Sequence, residues 1–158
     1  MPAKTVARTL HFDSLHEVLS EAKRIIASEN PVVIATWTPA QNIQHVALVL
    51  QASIEGFPGA PPLPIRLIGP LFKQRFLKRS FSPGIKLPKS LAAFHPDASV
   101  TGPAAVDFLE KMTAKARAQG YIPASPLFGK LSASQWEQLH CRHAEMHFGM
   151  IRLDAPHP

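Results

Sequence analysis

The stretch SASQWEQLHCRHAEMHFGMI, residues 132–151, decides the reading of the fold. Ser132 followed by Gln135 has capping-box spacing, and Leu131 with Trp136 is placed to form the hydrophobic staple beside it. Trp136, Leu139, His140, His143, Met146, His147 and Met150 recur at helical spacing. The pattern predicts an amphipathic helix from Ala133 to about Ile151, with imidazoles on its inward stripe.

Proline draws the rest of the map. Nine of the 16 prolines lie between Pro58 and Pro103, and none lies within 14–28, 104–119 or 132–152. Proline is costly inside a helix and tolerated in its first turn, so the proline-free windows are the helix candidates. Over 14–28, Asp13 or Ser14 caps a stripe of Leu15, Val18, Leu19, Ala22, Ile25 and Ile26, and Asn30-Pro31 ends it. Over 39–55, Thr38 is the cap, Pro39 opens the helix, Gln41 sits at the capping-box position and Gly56 stops it. Two adjacent stripes there (Ile43, Val46, Ala47, Leu50, Ile54; and His45, Leu48, Val49, Ala52) predict a helix touching two neighbours. Over 104–119, Thr101 or Gly102 caps, Pro103 opens and Gly120 ends a stripe of Val106, Leu109, Met112, Thr113 and Ala116. Four amphipathic helices without a strand pattern predict an all-α four-helix bundle filling residues 1–158 as one domain. The connection 56–103 is too long for a hairpin. It reads as a crossover joining the second and third helices in parallel, with a short extra helix from Pro70 to about Arg79. Val32 to Ala35 reads as an extended piece without an obvious partner.

Composition narrows the function classes. At 46% hydrophobic and 18% charged residues, 158 residues suit one packed core and exclude a wholly disordered chain. One Cys excludes a disulfide scaffold and fits a reducing compartment. Met1 to Phe12 is basic but has no apolar core of a signal peptide, and the longest clean apolar run is Val46 to Leu50. The expectation is a cytoplasmic protein with no membrane partner. The net charge of +6 is segregated. Between Gly56 and Pro96 stand Arg66, Lys73, Arg75, Lys78, Arg79, Lys86 and Lys89, with no Asp or Glu. That bias allows polyanion binding. However, Phe72, Phe76 and Phe81 are spaced to pack the segment down and no nucleic-acid motif is present, so a solvated basic face is expected rather than a nucleic-acid partner.

Eight histidines against one cysteine make imidazole the majority ligand of any metal site. His143 and His147 lie one turn apart on one face, a spacing that binds a divalent ion side by side. His45 adds a third imidazole on the other deeply placed helix. Two readings stay open at this point: a metal site, or buried histidines satisfied by hydrogen bonds. His140 beside His143, and His16 on the first helix, are candidates for contacts that support the ligands rather than ligands themselves. Glu145 is turned away from both His143 and His147, and Glu137 is expected to face solvent. Cys141 points off the stripe. Trp37 and Trp136 read as core anchors, Met112, Met146 and Met150 as core filler, and His11, His95 and His157 as surface residues.

Trp37-Thr38-Pro39-Ala40-Gln41-Asn42-Ile43-Gln44-His45 resembles the second-helix motif of the DinB/YfiT-like superfamily, and Ser125-Pro126-Leu127-Phe128-Gly129-Lys130-Leu131-Ser132 with Trp136 and His143-Ala144-Glu145-Met146-His147 resembles its last-helix motif. The finer likeness is to a DinB-like branch known as a domain of unknown function, in which an Arg-x-Leu-x-Phe start (here Arg8, Leu10, Phe12) precedes the first helix. The likeness spans about residues 8–152. It implies a four-helix bundle with a three-histidine metal site made by His45, His143 and His147. It also implies an open coordination position and a divalent transition metal (Zn, Ni or Fe, with Cu also suited), and no preference for Ca or Mg. By the same likeness, the activity would be a transferase or isomerase reaction of a small-molecule substrate with a low-molecular-weight thiol. Dimers are common in the superfamily, which admits a homodimer. The sequence departs from the pattern at Met146 and Ser125, where relatives often carry histidine. No residue reads as a general base, so a non-enzymatic metal-binding or stress-response bundle is the competing expectation.

Overall fold

The computed structural model describes residues 7–83 and 89–153. In chain order these form α1 (Leu15–Ala27), β1 (Pro31–Val33), α2 (Pro39–Glu55), α3 (Leu63–Lys78), a 3₁₀ turn (Lys89–Phe94), α4 (Gly102–Gln119), β2 (Ala124–Ser125), β3 (Gly129–Lys130), α5 (Ala133–Gly149) and β4 (Ile151–Leu153). Lys86 and His157 lie outside the described residues.

The four expected helices are present, and their starts follow the caps read from sequence. Ser14 Oγ accepts from Glu17 N, and Thr101 Oγ1 from Ala104 N. Thr38 with Gln41, and Ser132 with Gln135, form reciprocal capping boxes. Each such cap is worth about 1 kcal/mol and fixes where the helical register starts. Gly56 ends α2 at φ 108°, a left-handed conformation that a side chain would strain.

α2 packs against α4 and α5, and α1 against α4, α5 and α2. The apolar stripes meet in one core that includes Val18, Ala22 and Ile25 of α1, Ile43, Val46 and Leu50 of α2, Leu109 of α4, and Ala144 and Phe148 of α5. α5 is buried more widely than its single stripe implied, because Cys141, Ala144 and Phe148 form a second apolar face. Among the described residues no helix is long and apolar enough to cross a membrane.

Five sequence expectations need correction. The chain is mostly helical but not all-α. β1 pairs antiparallel with β4 (Val32 opposite Arg152), and β2 pairs antiparallel with β3. The extended piece near Val32 therefore has a partner, supplied by residues after α5. That helix ends at Gly149 rather than about Ile151, because Ile151 turns into β4 and the Arg8 side chain takes the terminal carbonyls. Arg8 Nη2 donates to Phe148 O at 3.2 Å, Arg8 Nε to Ile151 O at 2.6 Å, and Arg8 N to Gly149 O at 2.8 Å. A cation at a helix C-terminus also complements its dipole.

The extra helix in the connection spans Leu63–Lys78 rather than Pro70 to about Arg79. Pro64 stands in its first turn, and Pro70, read as its opener, lies inside it. Pro70 removes only the amide that would bond back to the Arg66 carbonyl. The neighbouring Gly69 lets the helix seat on the loop before α5. A Cβ at Gly69 would stand 2.0 Å from Leu127 O. Leu77, with Phe76 and Phe81, joins Phe128, Leu131, Trp136 and Leu139 in a second apolar cluster. Phe72, expected to pack down, is instead exposed.

Gly69→Ala is expected to lower stability by about 1–3 kcal/mol. Alanine gains at most about 1 kcal/mol in helix propensity. The obstructing atom is a backbone oxygen, which cannot rotate away. A thermal melt reads the outcome, and an unchanged or raised midpoint would contradict the close seating.

Candidate metal centre

His45 of α2 and His143 and His147 of α5 converge, each offering a ring nitrogen, and the three nitrogens lie within 4.8 Å of one another. The ring centroids are 4.5 Å apart for His45 and His147, 4.7 Å for His143 and His147, and 5.1 Å for His45 and His143. His45 and His147 are buried and His143 is half-buried. The one-turn spacing on α5 aligns two imidazoles, and the packing of α2 on α5 brings the third.

Two of the three tautomers are fixed by neighbours. The Phe94 carbonyl accepts from His45 Nδ1 at 2.6 Å, which leaves the lone pair of His45 on Nε2. Asn42 donates both amide hydrogens of Nδ2, to Trp37 O and Thr38 O at 3.0 Å each, so its Oδ1 is the acceptor facing His147 Nδ1 at 3.0 Å. His147 therefore also presents Nε2 as a lone pair. His143 Nδ1 is shielded from solvent and has no hydrogen-bond partner among the described residues. A buried polar atom left unpaired costs about 1–3 kcal/mol, so the cluster is incomplete as it stands. The donor set, three imidazoles of which two are anchored through Nδ1, fits a borderline transition metal such as Zn, Ni or Fe.

Electrostatics point the same way. Burial lowers His45 to about 4 and His147 to about 3, and pushes His143 well below its ordinary 6.5. Mutual repulsion adds to each shift, from His95 at His45, from His45 at His147, and chiefly from His147 at His143. All three imidazoles are neutral near pH 7, the form that binds metal.

Aromatic walls enclose the cluster. Trp37 stacks on His147 with ring centroids 5.8 Å apart and planes 12° from parallel, and stands 4.8 Å from His45. Phe81 meets His143 edge-on at 5.6 Å. Trp37, read from sequence as a core anchor, is thus half-buried and touches two of the three imidazoles.

The other singled-out residues fall elsewhere. His140 is buried against Trp136 and Tyr121 and donates from Nε2 to Ser53 Oγ at 2.8 Å, since the Ser53 hydroxyl proton goes to Leu50 O. His16 is exposed on α1 and is not in the cluster. Cys141 is buried, and desolvation pushes its thiol up to about 12, which makes it inert at neutral pH. Glu137, expected to face solvent, accepts from Leu15 N at 3.1 Å and so helps cap α1. Ser125, where relatives often carry histidine, accepts from Leu127 N and Phe128 N and shapes the loop before α5. Sequence reasoning missed Asn42, although its place one turn before His45 on α2 was a usable signal.

A family model described as a protein of unknown function (DUF1569) matches residues 4–153. The chain belongs to the DUF1569 family. No curated protein and no solved structure matches it. What this DUF1569 chain can do chemically therefore rests on its own residues.

In metal-free DUF1569 protein the neutral imidazoles make stability pH-dependent. His45, His147 and His140, the last lowered to about 3, stay unprotonated in the fold, whereas the unfolded chain protonates them near 6.5. Between those values the unfolded state binds more protons, so stability is full above about pH 6.5 and falls as pH drops toward 4 and then 3. Each group contributes up to about 1.4 kcal/mol per pH unit. Urea midpoints at about pH 7.5 and about pH 5 check the sign; a flat profile would contradict neutral burial.

Proposed function

We propose that the chain is a DinB-like metal-binding protein: α1, α2, α4 and α5 form a four-helix bundle, and His45, His143 and His147 hold one divalent transition metal ion. The reading rests on one observation above the others. Three neutral imidazoles converge with two tautomers fixed by Phe94 O and Asn42, while His143 Nδ1 is buried without a partner. Three protein ligands leave a position for a further group, the pattern of catalytic rather than structural sites. An ion held there supplies a Lewis acid that lowers the pKa of a thiol or water. The chain's own residues bind the ion through His45, His143 and His147, orient two of these through Phe94 O and Asn42, and screen the cluster with Trp37. The finer proposal is a thiol-transferase-type enzyme acting on an electrophilic small molecule, working in the reducing cytoplasm.

The second reading, a non-enzymatic metal-binding bundle, is favoured by the state of the carboxylates. Glu145 is the acid nearest the ligands in sequence, and both its oxygens are taken, by Phe12 N and by Ser80 Oγ. Metal analysis of untagged protein tests both readings. Stoichiometric zinc, nickel or iron supports the site, and its absence after loading removes it. With metal bound, consumption of a small thiol in the presence of a generic electrophile separates the enzyme from the passive bundle.

A further inference from the structure

Of the seven large apolar residues that the described part of the chain exposes, six lie on α3: Leu63, Ile65, Leu67, Ile68, Leu71 and Phe72. Leu71 is 80% and Leu67 70% exposed, so these are not grazing contacts. Leu63, Leu67 and Leu71 follow one another at four-residue spacing, with Ile68 and Phe72 beside them on the same side. Continued toward the C-terminus, that side carries Arg75, Lys78 and Arg79, all exposed. The opposite side is the one that docks, through Gly69 on Leu127 and through Leu77 in the second cluster. The outward face of α3 is thus apolar for its first two-thirds and cationic at its end.

None of Arg66, Arg75, Lys78 and Arg79 makes an ion pair among the described residues. Lys73 is used on Lys130 O at 3.2 Å. The sequence from Gly56 to Pro96 contains no acid that could neutralise them. Whatever covers this face must supply apolar depth next to negative charge.

We propose that α3 is an interfacial helix, seated on a lipid surface that bears anionic headgroups. Such a surface takes Leu63, Leu67, Ile68, Leu71 and Phe72 into the boundary between headgroups and acyl chains, and pairs Arg75, Lys78 and Arg79 with lipid phosphates and carboxylates. A second copy of the chain would cover the leucines, but it brings no acid from the same segment to meet the cations. Nucleic acid would meet the cations and leave the leucines in water. The expectation of no membrane partner rested on the lack of a spanning segment, which bears on crossing a bilayer and not on lying against it. The proposal is independent of the metal centre.

Flotation of the full, untagged chain with vesicles of phosphatidylcholine, alone or mixed with phosphatidylserine, tests it. The wild type is expected to float with the mixed vesicles and to bind them on the order of 100-fold more tightly than neutral ones, an advantage that salt weakens. Leu67→Gln with Leu71→Gln should abolish flotation, and Lys78→Glu with Arg79→Glu should abolish the preference for phosphatidylserine. Both pairs are exposed, so circular dichroism and melting should match the wild type. Absence of flotation overturns the proposal, as does a charge variant that keeps the wild-type preference. A dimer in light scattering that the leucine variant dissociates, without flotation, assigns the face to a second copy instead. Binding of duplex DNA that the charge variant loses and the leucine variant keeps, again without flotation, assigns it to nucleic acid.

Discussion

His143→Ala is expected to lower the affinity for zinc or nickel by more than about 100-fold, since loss of even a supporting partner costs 10–100-fold. The stability of the metal-free protein should respond differently. His143 Nδ1 is buried and unpaired, so removing the ring relieves a desolvation cost that offsets part of the lost packing. His140→Ala reverses the pattern: metal affinity holds, while stability falls, because Ser53 Oγ loses the donor at Nε2 and a cavity opens beside Trp136 and Tyr121. Asn42→Ala should cost an intermediate 10–100-fold in affinity through loss of tautomer control at His147. Quenching of Trp37, which stacks on His147, reports occupancy directly. Equal metal binding by His143→Ala and the wild type would place the ion elsewhere.

Glu145→Ala is expected to destabilise the fold by about 3–5 kcal/mol, among the largest single effects open to a residue outside the metal cluster. Glu145 and Arg142 are both buried and 2.9 Å apart. Glu145 Oε1 also accepts from Phe12 N at 2.8 Å, and its Oε2 accepts from Ser80 Oγ. Arg142 Nη2 donates to Phe12 O at 2.5 Å. The pair thus clasps the segment before α1 and the connection after α3 onto α5. Removing the carboxylate leaves a guanidinium buried without a counter-charge, whereas replacing both partners with apolar residues of similar volume should recover much of the loss. Urea midpoints of the single and double variants test this at constant m-value. A loss under about 1 kcal/mol for Glu145→Ala would mean that Arg142 finds water instead.

The helices were legible because their signals are local. Caps such as Thr38 with Gln41, and stripes such as Ile43, Val46 and Leu50, lie within a few residues of one another. The failures share a different cause. β1 needed a partner that appears only at Ile151, and α5 stopped early because Arg8 claims its carbonyls from the far end of the chain. Pro70 misled because proline marks a helix start only on average, and here Gly69 and Leu127 hold the helix around it. At the candidate centre the one-turn spacing of His143 and His147 and the deep placement of His45 were readable from the sequence, and the resemblance joined the three into one ligand set. The atoms that orient them were not, since Phe94 contributes only a carbonyl and Asn42 looked like any first-turn amide.

The reach of Arg8 to α5 bears on how the chain is made. Arg8 can pair early with Glu21, but its acceptors on and after α5 exist only once Phe148 and Ile151 have been synthesised, and His45 stands alone until His143 and His147 exist. At 5–20 residues per second, the first interval is roughly 7–30 s and the second roughly 5–20 s. Before α5 exists, α1 and α2 can pack only on each other and on α4, the surfaces that take α5 stay open, and contacts of such long sequence separation slow the final closure further. The histidine cluster is therefore among the last parts of the molecule to assemble, and free metal ions meet a nascent chain that holds a single one of its three clustered imidazoles.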